Sequence, residues 1–313
     1  MAATASGRPR PQRRLTPCRR TGRIEVVSST CTRQYGKVFD DVAAEYDRSR
    51  PTYPDQLVDR ACEVAGLGRG DHVLEIGCGT GQLTRSLVAR HLQVTALDPG
   101  QHLLALVESK LKRSGEVELL NARFEDARLP DARFRAVFSA AALQWIDPAV
   151  GWRKIARVLA PGGTLALLQY FGLQEQRSIH DQNALLLAMK TIAPEIAADW
   201  PVYRDLAGTV AGAERRHDNV SEVWAWLGSH DVARPEARDL FGDVRVAAAP
   251  TLLEHTADEL NALLRTASFY QRISPAQRRA LEDESAALYE RIGRPIRSST
   301  VAVLVTARRS ADA

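Results

Sequence analysis

The chain is 313 residues long, 45% hydrophobic and 26% charged, with a formal charge of +4. That length allows one large domain or a domain with an insert, and the composition is that of a globular protein. No apolar run reaches the ~18 residues a membrane helix needs, and the four cysteines (Cys18, Cys31, Cys62 and Cys78) lack disulfide or metal spacing, so no membrane partner is expected and a reducing, cytoplasmic location is.

The charge is unevenly spread. Residues 1–34 hold eight arginines against the single acid Glu25. They form an expected disordered basic extension, with the composition of a transit peptide or of translation from an upstream start. The remaining chain is then net acidic at −3, which argues against a body-wide nucleic-acid footprint. Order is expected from about Val38. "VFDDVAAEYDRSRPTYP" reads as a short amphipathic helix with Phe39, Val42, Ala43 and Tyr46 on one face, ended by Pro51 and Pro54. "DQLVDRACEVAGL" reads as a second helix between an Asp55 cap and Gly66.

Strands and helices then alternate. "HVLEIG", "QVTALD", "VELLNA", "AVFSAAA" and "TLALLQYF" are five short, nearly continuous apolar strands. Helical segments lie between most of them. This pattern predicts an α/β, Rossmann-like, doubly wound sheet, mostly parallel and covered on both faces. After residue 171 the alternation stops. Residues 172–240 read as helix and loop, too long for a plain connection, and are expected to form a helical substrate cap inserted between strands five and six. Residues 241–313 complete the core with "VRVAAAPTLLEHT", two helices and a last, antiparallel strand "STVAVLVTAR", for seven strands in all. The core is thus divided into 35–171, with an N-terminal lid helix, and 241–313.

The sharpest local signal is "VLEIGCGTGQLT". A strand runs into Gly77, Gly79 and Gly81 and then a helix. Glycine permits positive φ and leaves no Cβ between backbone and ligand, and the helix start offers free N–H groups. The next strand ends in Asp98, where a carboxylate can accept both hydroxyls of a ribose. A dinucleotide site would show G-x-G-x-x-G; here the spacing is G-x-G-x-G, with Glu75 before it. That acid suits a ligand with a cationic end, or it accepts hydrogen bonds from the loop's own amides. Cys78, between the glycines, reads as a small space filler. The seven histidines share no ligand spacing, and no metal is expected.

At this point the chain resembles the class I S-adenosylmethionine-dependent methyltransferases of small-molecule type. "VLEIGCGTG" looks like their first motif, and Asp98, "ARFEDARLP", "AVFSAAALQWIDP" and "ARVLAPGGTLAL" follow at the expected places. The resemblance implies S-adenosyl-L-methionine as cofactor. Gly77, Gly79 and Gly81 would pass its methionine part along their backbones, and Glu75 and Cys78 would join them in binding the cofactor. Asp98 would hold the ribose hydroxyls, with Pro99 also in the cofactor site; Phe124, Glu125 and Asp126 would lie near the adenine, and Ala140 would line the methionine side. Tyr46, Arg50 and Tyr53 resemble the segment that folds over the cofactor. Gln144 stands where many relatives carry His, and the Gln144–Trp145 pair is similar to that of trans-aconitate methyltransferase, which methylates a carboxylate. That resemblance implies methyl transfer to a carboxylate or hydroxyl oxygen of a small molecule. Glutamine can hold an oxygen but takes no proton at neutral pH, so His180, His230 and Tyr170 stand as candidate bases beside Gln144 and Trp145. An RNA or protein methyltransferase, or a cofactor-binding protein of the same fold, is the alternative. The acidic body argues against RNA. Sequence leaves the oligomeric state open.

Overall fold

The computed structural model describes residues 38–111, 114–199, 203–228 and 231–311. The basic extension expected over 1–34, Trp200 of the cap and His230 lie outside the described residues. Seven strands form one sheet: β1 (His72–Ile76), β2 (Gln93–Asp98), β3 (Val117–Asn121), β4 (Phe134–Ala140), β5 (Leu159–Gly172), β6 (Phe241–His255) and β7 (Ile296–Arg309). Their order is β3-β2-β1-β4-β5-β7-β6. β1 to β5 pair in parallel, and β7 runs antiparallel between β5 and β6. The order reverses at β1 and β4, which opens a crevice at their carboxyl ends where ligands of such sheets bind. The predicted α/β architecture and antiparallel last strand are both present.

Alternation along each strand feeds two cores. One face carries Val73, Val94, Ala136, Phe138, Ala166 and Leu304. It is covered by α3 (Asp55–Ala65), α4 (Gln82–Val88) and α5 (Gln101–Leu111). The other carries Leu74, Ile76, Val137, Leu165, Leu167 and Val303, packed against Trp152 and Ile155 of α6 (Pro148–Val158). β1, β2, β4 and β5 are thus apolar on both faces, as burial between two helix layers requires, while the edge strand β3 is only half-buried. Before them come α1 (Val38–Asp41) and α2 (Ala43–Ser49), the two pieces of the predicted lid helix.

The segment 172–240 divides between two places, which corrects the expectation of one cap. Its first helix, α7 (Ile179–Ile192), packs beside the two later helices α11 (Ala257–Arg265) and α12 (Pro275–Ile292). Its next helices, α8 (Leu206–Glu214) and α9 (Val220–Gly228), lie on the far face of the sheet, followed by α10 (Ala237–Leu240). There Val220, Val223, Trp224 and Leu227 join the same core as Trp152 and Phe241. Four large apolar side chains on α9 require a broad dry surface, and the underside of β7 and β6 supplies it.

Candidate active site

A cavity of about 1180 Å³ lies at the carboxyl end of the sheet. It exceeds the ~300–1,000 Å³ of a typical single-ligand pocket. Its two ends differ in chemistry. At one end are Gly77, Cys78, Gly79, Asp98, Pro99, Phe124, Glu125, Ala140, Gln144 and Trp145, with Tyr46, Arg50 and Tyr53 over them. At the other are leucines of α7, α11 and α12 and the tips of β6 and β7.

The glycine loop is held by its own backbone. The Gly77 and Cys78 amides both donate to Leu97 O, at 2.9 and 3.1 Å. Gly77 has φ +70°, and a Cβ there would lie 2.3 Å from the Ala142 Cβ. Gly79 has φ +56° and faces the Tyr46 ring. Its amide donates to Asp98 Oδ2 at 3.0 Å, while Asp98 Oδ1 accepts from the Gly100 amide at 2.8 Å. Burial raises the Asp98 pKa and these two amides oppose the rise. Gly77→Ala is therefore expected to lower stability by about 2 kcal/mol, from overpacking at a left-handed position; urea unfolding checks it, and an unchanged midpoint would refute it.

Several predicted residues take other places. Gly81 caps α4 and does not line the cavity; a Cβ there would press on Val107 of α5 at 3.3 Å. It serves helix packing. Glu75 is buried beneath the loop, outside the cavity wall, and Oε2 has no hydrogen-bond partner. No loop amide reaches it. Burial lifts its pKa to about 8; the Thr84 hydroxyl pulls it down and Asp98 pushes it up. Asp126 is exposed and off the cavity. Glu125 does line it, but its carboxylate accepts from the Asp147 amide (2.9 Å) and from Arg123 (3.0 Å), bracing the loop after β4. The Cys78 thiol is buried and its pKa is pushed well up by desolvation, so it is no nucleophile.

The candidate bases fare differently. His180 is exposed on α7 and does not line the cavity. The Tyr170 hydroxyl donates to Thr52 O at 2.6 Å, its ring stacks on Tyr53, and burial pushes its pKa to about 12. It stays protonated and fastens the lid. Gln144 donates through Nε2 to Ala141 O at 2.7 Å, which leaves Oε1 buried and unpartnered in the cavity wall. Trp145 packs edge-on to Phe39.

The lid is anchored on both sides. Asp40 accepts from the His102 and Leu103 amides at the start of α5, and Asp47 pairs with Lys110. Arg50 donates to Thr266 Oγ1 (3.0 Å) and Thr266 O (2.8 Å) at the end of α11, and Glu45 pairs with Arg265. Sequence reasoning missed the far wall: Gln169, His255, Ser298, Thr300 and the leucines of α11. The period-two run Ile296, Ser298, Thr300 on β7 was its one local sign. Among the described residues no cluster of His, Cys, Asp or Glu could hold a metal ion.

Residues 74–167 match the family model described as a methyltransferase domain. An uncharacterized methyltransferase of Mycobacterium bovis is 38% identical over 140 residues, covering 44% of this chain and 55% of its own length; the chain thus spans about half of that relative. A demethylmenaquinone methyltransferase of Tropheryma whipplei is 30% identical, with 59% of this chain and 79% of the relative covered. A ubiquinone/menaquinone biosynthesis C-methyltransferase of Pseudomonas savastanoi is 33% identical, with 65% and 82% covered. A solved methyltransferase structure from Anaeromyxobacter dehalogenans superposes with a TM-score of 0.54 at 22% identity, covering 83% of this chain and 97% of that one, which supports the fold. With the glycine loop, Asp98 and the strand order in place, the chain belongs to the class I S-adenosylmethionine-dependent methyltransferases.

Proposed function

We propose that the protein transfers a methyl group from S-adenosylmethionine to a neutral small molecule with a largely apolar body. One observation carries the reading: the cavity at the glycine loop continues without interruption into a chamber walled by Leu185, Leu186, Met189, Leu253, Leu260, Leu264 and Leu281. Among the described residues, the only arginines or lysines lining the cavity are Arg50 and Arg123, both at the loop end and both committed to protein partners. A multiply charged carboxylate would find no cation in the chamber to offset its desolvation. That weighs against an acceptor like trans-aconitate.

The residues at the loop end fit the cofactor. Gly77 and Gly79 leave a backbone surface free of Cβ atoms, and Asp98 keeps unused acceptor capacity at the end of β2. Under this reading Asp98 holds the ribose hydroxyls. Phe124, with Pro99, takes the adenine ring, and Ala140 and the glycine loop take the methionine part. Tyr46 and Arg50 close over them. When bound, the cofactor supplies a methyl group on a sulfonium, activated because the departing thioether is neutral. The protein's share is alignment and water exclusion. Gln144 Oε1 is free to accept a hydrogen bond from the acceptor and fix its reacting face. The described histidines place no base at this end, so an acceptor that needs little help in losing its proton is favoured. A quinone precursor, the class named for two of the relatives, has that character. No described helix is long and apolar enough to cross a membrane, and we take the cytoplasm as the working location.

The test is incubation of methyl-labelled cofactor with a fractionated metabolite extract. Label is expected in the organic-extractable fraction. Label confined to precipitable protein or RNA, or none at all, would reverse the reading.

A further inference from the structure

β6 and β7 run on past the end of β5. Gly172, the last residue of β5, pairs with Thr300, and the β6–β7 ladder continues through Leu253–Ser298 to His255–Ile296. Residues directly opposite in an antiparallel pair share a face. Ile296, Ser298, Thr300, Leu253 and His255 therefore form one overhanging wall, and all five line the cavity. β6 is the edge strand on the β7 side, separated from β1 and its glycine loop by β4, β5 and β7, so His255 marks the chamber's far end.

Two polar atoms on this wall lack partners. Thr300 Oγ1 and His255 Nε2 are both buried and make no hydrogen bond. Buried polar groups are almost always satisfied, and an exception needs an explanation. From the Thr300 level to the His255 level the strand advances about 13 Å, at ~3.3 Å per residue, with Leu260 of α11 and Ile296 giving the stretch an apolar character.

We propose that this far end is a second recognition point, where His255 binds a hydroxyl at the distal end of an elongated, neutral acceptor whose body passes Thr300. The inference rests on the methyl-transfer reading above. A hydroxyl both donates and accepts, so it satisfies either tautomer of the ring. Burial holds His255 below the usual histidine pKa, against a rise from Glu259, so the imidazole is neutral at neutral pH and selects for no anion. Glu284, which also lines the cavity, disfavours an anion further.

Two probes of equal length test this: 1-decanol and 1,10-decanediol, titrated calorimetrically into protein loaded with S-adenosylhomocysteine. The diol-to-alcohol affinity ratio is expected to fall about tenfold in His255→Leu, with decanol binding held within about threefold. Thr300→Val, about 13 Å nearer the loop, should leave the ratio within about threefold. S-adenosylhomocysteine affinity reports the loop end separately and should not move. An unchanged ratio in His255→Leu, an equal loss of both probes, or no binding of the diol to the wild type overturns the proposal. Failure of the wild type to bind S-adenosylhomocysteine would instead overturn the methyl-transfer reading beneath it.

Discussion

Asp98→Ala is expected to weaken S-adenosylhomocysteine binding at least about 100-fold while the protein stays folded. The carboxylate stands at the carboxyl end of β2 and already accepts from the Gly79 and Gly100 amides. A carboxylate has roughly four acceptor positions, so about two remain for ribose hydroxyls. Hydrogen bonds to a charged group contribute about 1.5–3 kcal/mol each. Loss of two gives about 3 kcal/mol or more, which is about 100-fold. The same substitution releases the Gly79 amide and loosens the loop, which adds to the loss. Asp98→Asn keeps the volume, but its amide group turns hydrogens toward one of the two donors, so it should fall nearly as far. Calorimetry gives the affinity and thermal unfolding the control. A change below about threefold would remove Asp98 from the cofactor site.

The strand pattern and the glycine loop were legible because their physics is local. An apolar run of five to seven residues bounded by glycine or proline reads as a buried strand wherever it ends up. Gly77 and Gly79 announce a left-handed turn by residue type alone. The acceptor chamber was not legible in this way. The helical period of Val220, Val223, Trp224 and Leu227 says that α9 buries a stripe, but not that it does so beneath β7 while α7 goes above. His255 and Thr300 look like ordinary alternating strand residues. Only the overhang of β6 and β7 past β5 turns their face into a wall. His180 failed as a base for the same reason in reverse: a helix position fixes a residue's neighbours along the helix, not which side meets the cavity. The spacing of Glu75 before the loop stands out in the sequence, but its burial outside the cavity wall does not.

That burial makes the Glu75 carboxyl, on β1 beside the loop, sensitive to pH. Its pKa stands at about 8 against an ordinary 4.5, chiefly because burial penalises the charge. Between those values the folded protein holds a proton that the unfolded chain has lost. Stability must then fall as pH rises from about 4.5 to about 8 and level off above. Glu75→Gln removes the titration and keeps the shape, at a constant offset for its own amide. The variant is therefore expected to gain on the wild type as pH rises, by on the order of 3–5 kcal/mol between pH 5 and pH 9. Urea unfolding of both proteins at pH 5, 7 and 9 measures the difference, and parallel curves would refute the buried, protonated carboxyl. The same proton couples to the ligand. A cation held above the loop favours ionised Glu75, so binding S-adenosylmethionine near pH 7 should release protons. The binding enthalpy in the wild type should then vary with the ionisation enthalpy of the buffer. In Glu75→Gln that dependence should be lost, whereas a buffer dependence equal in the two proteins would place the released proton elsewhere.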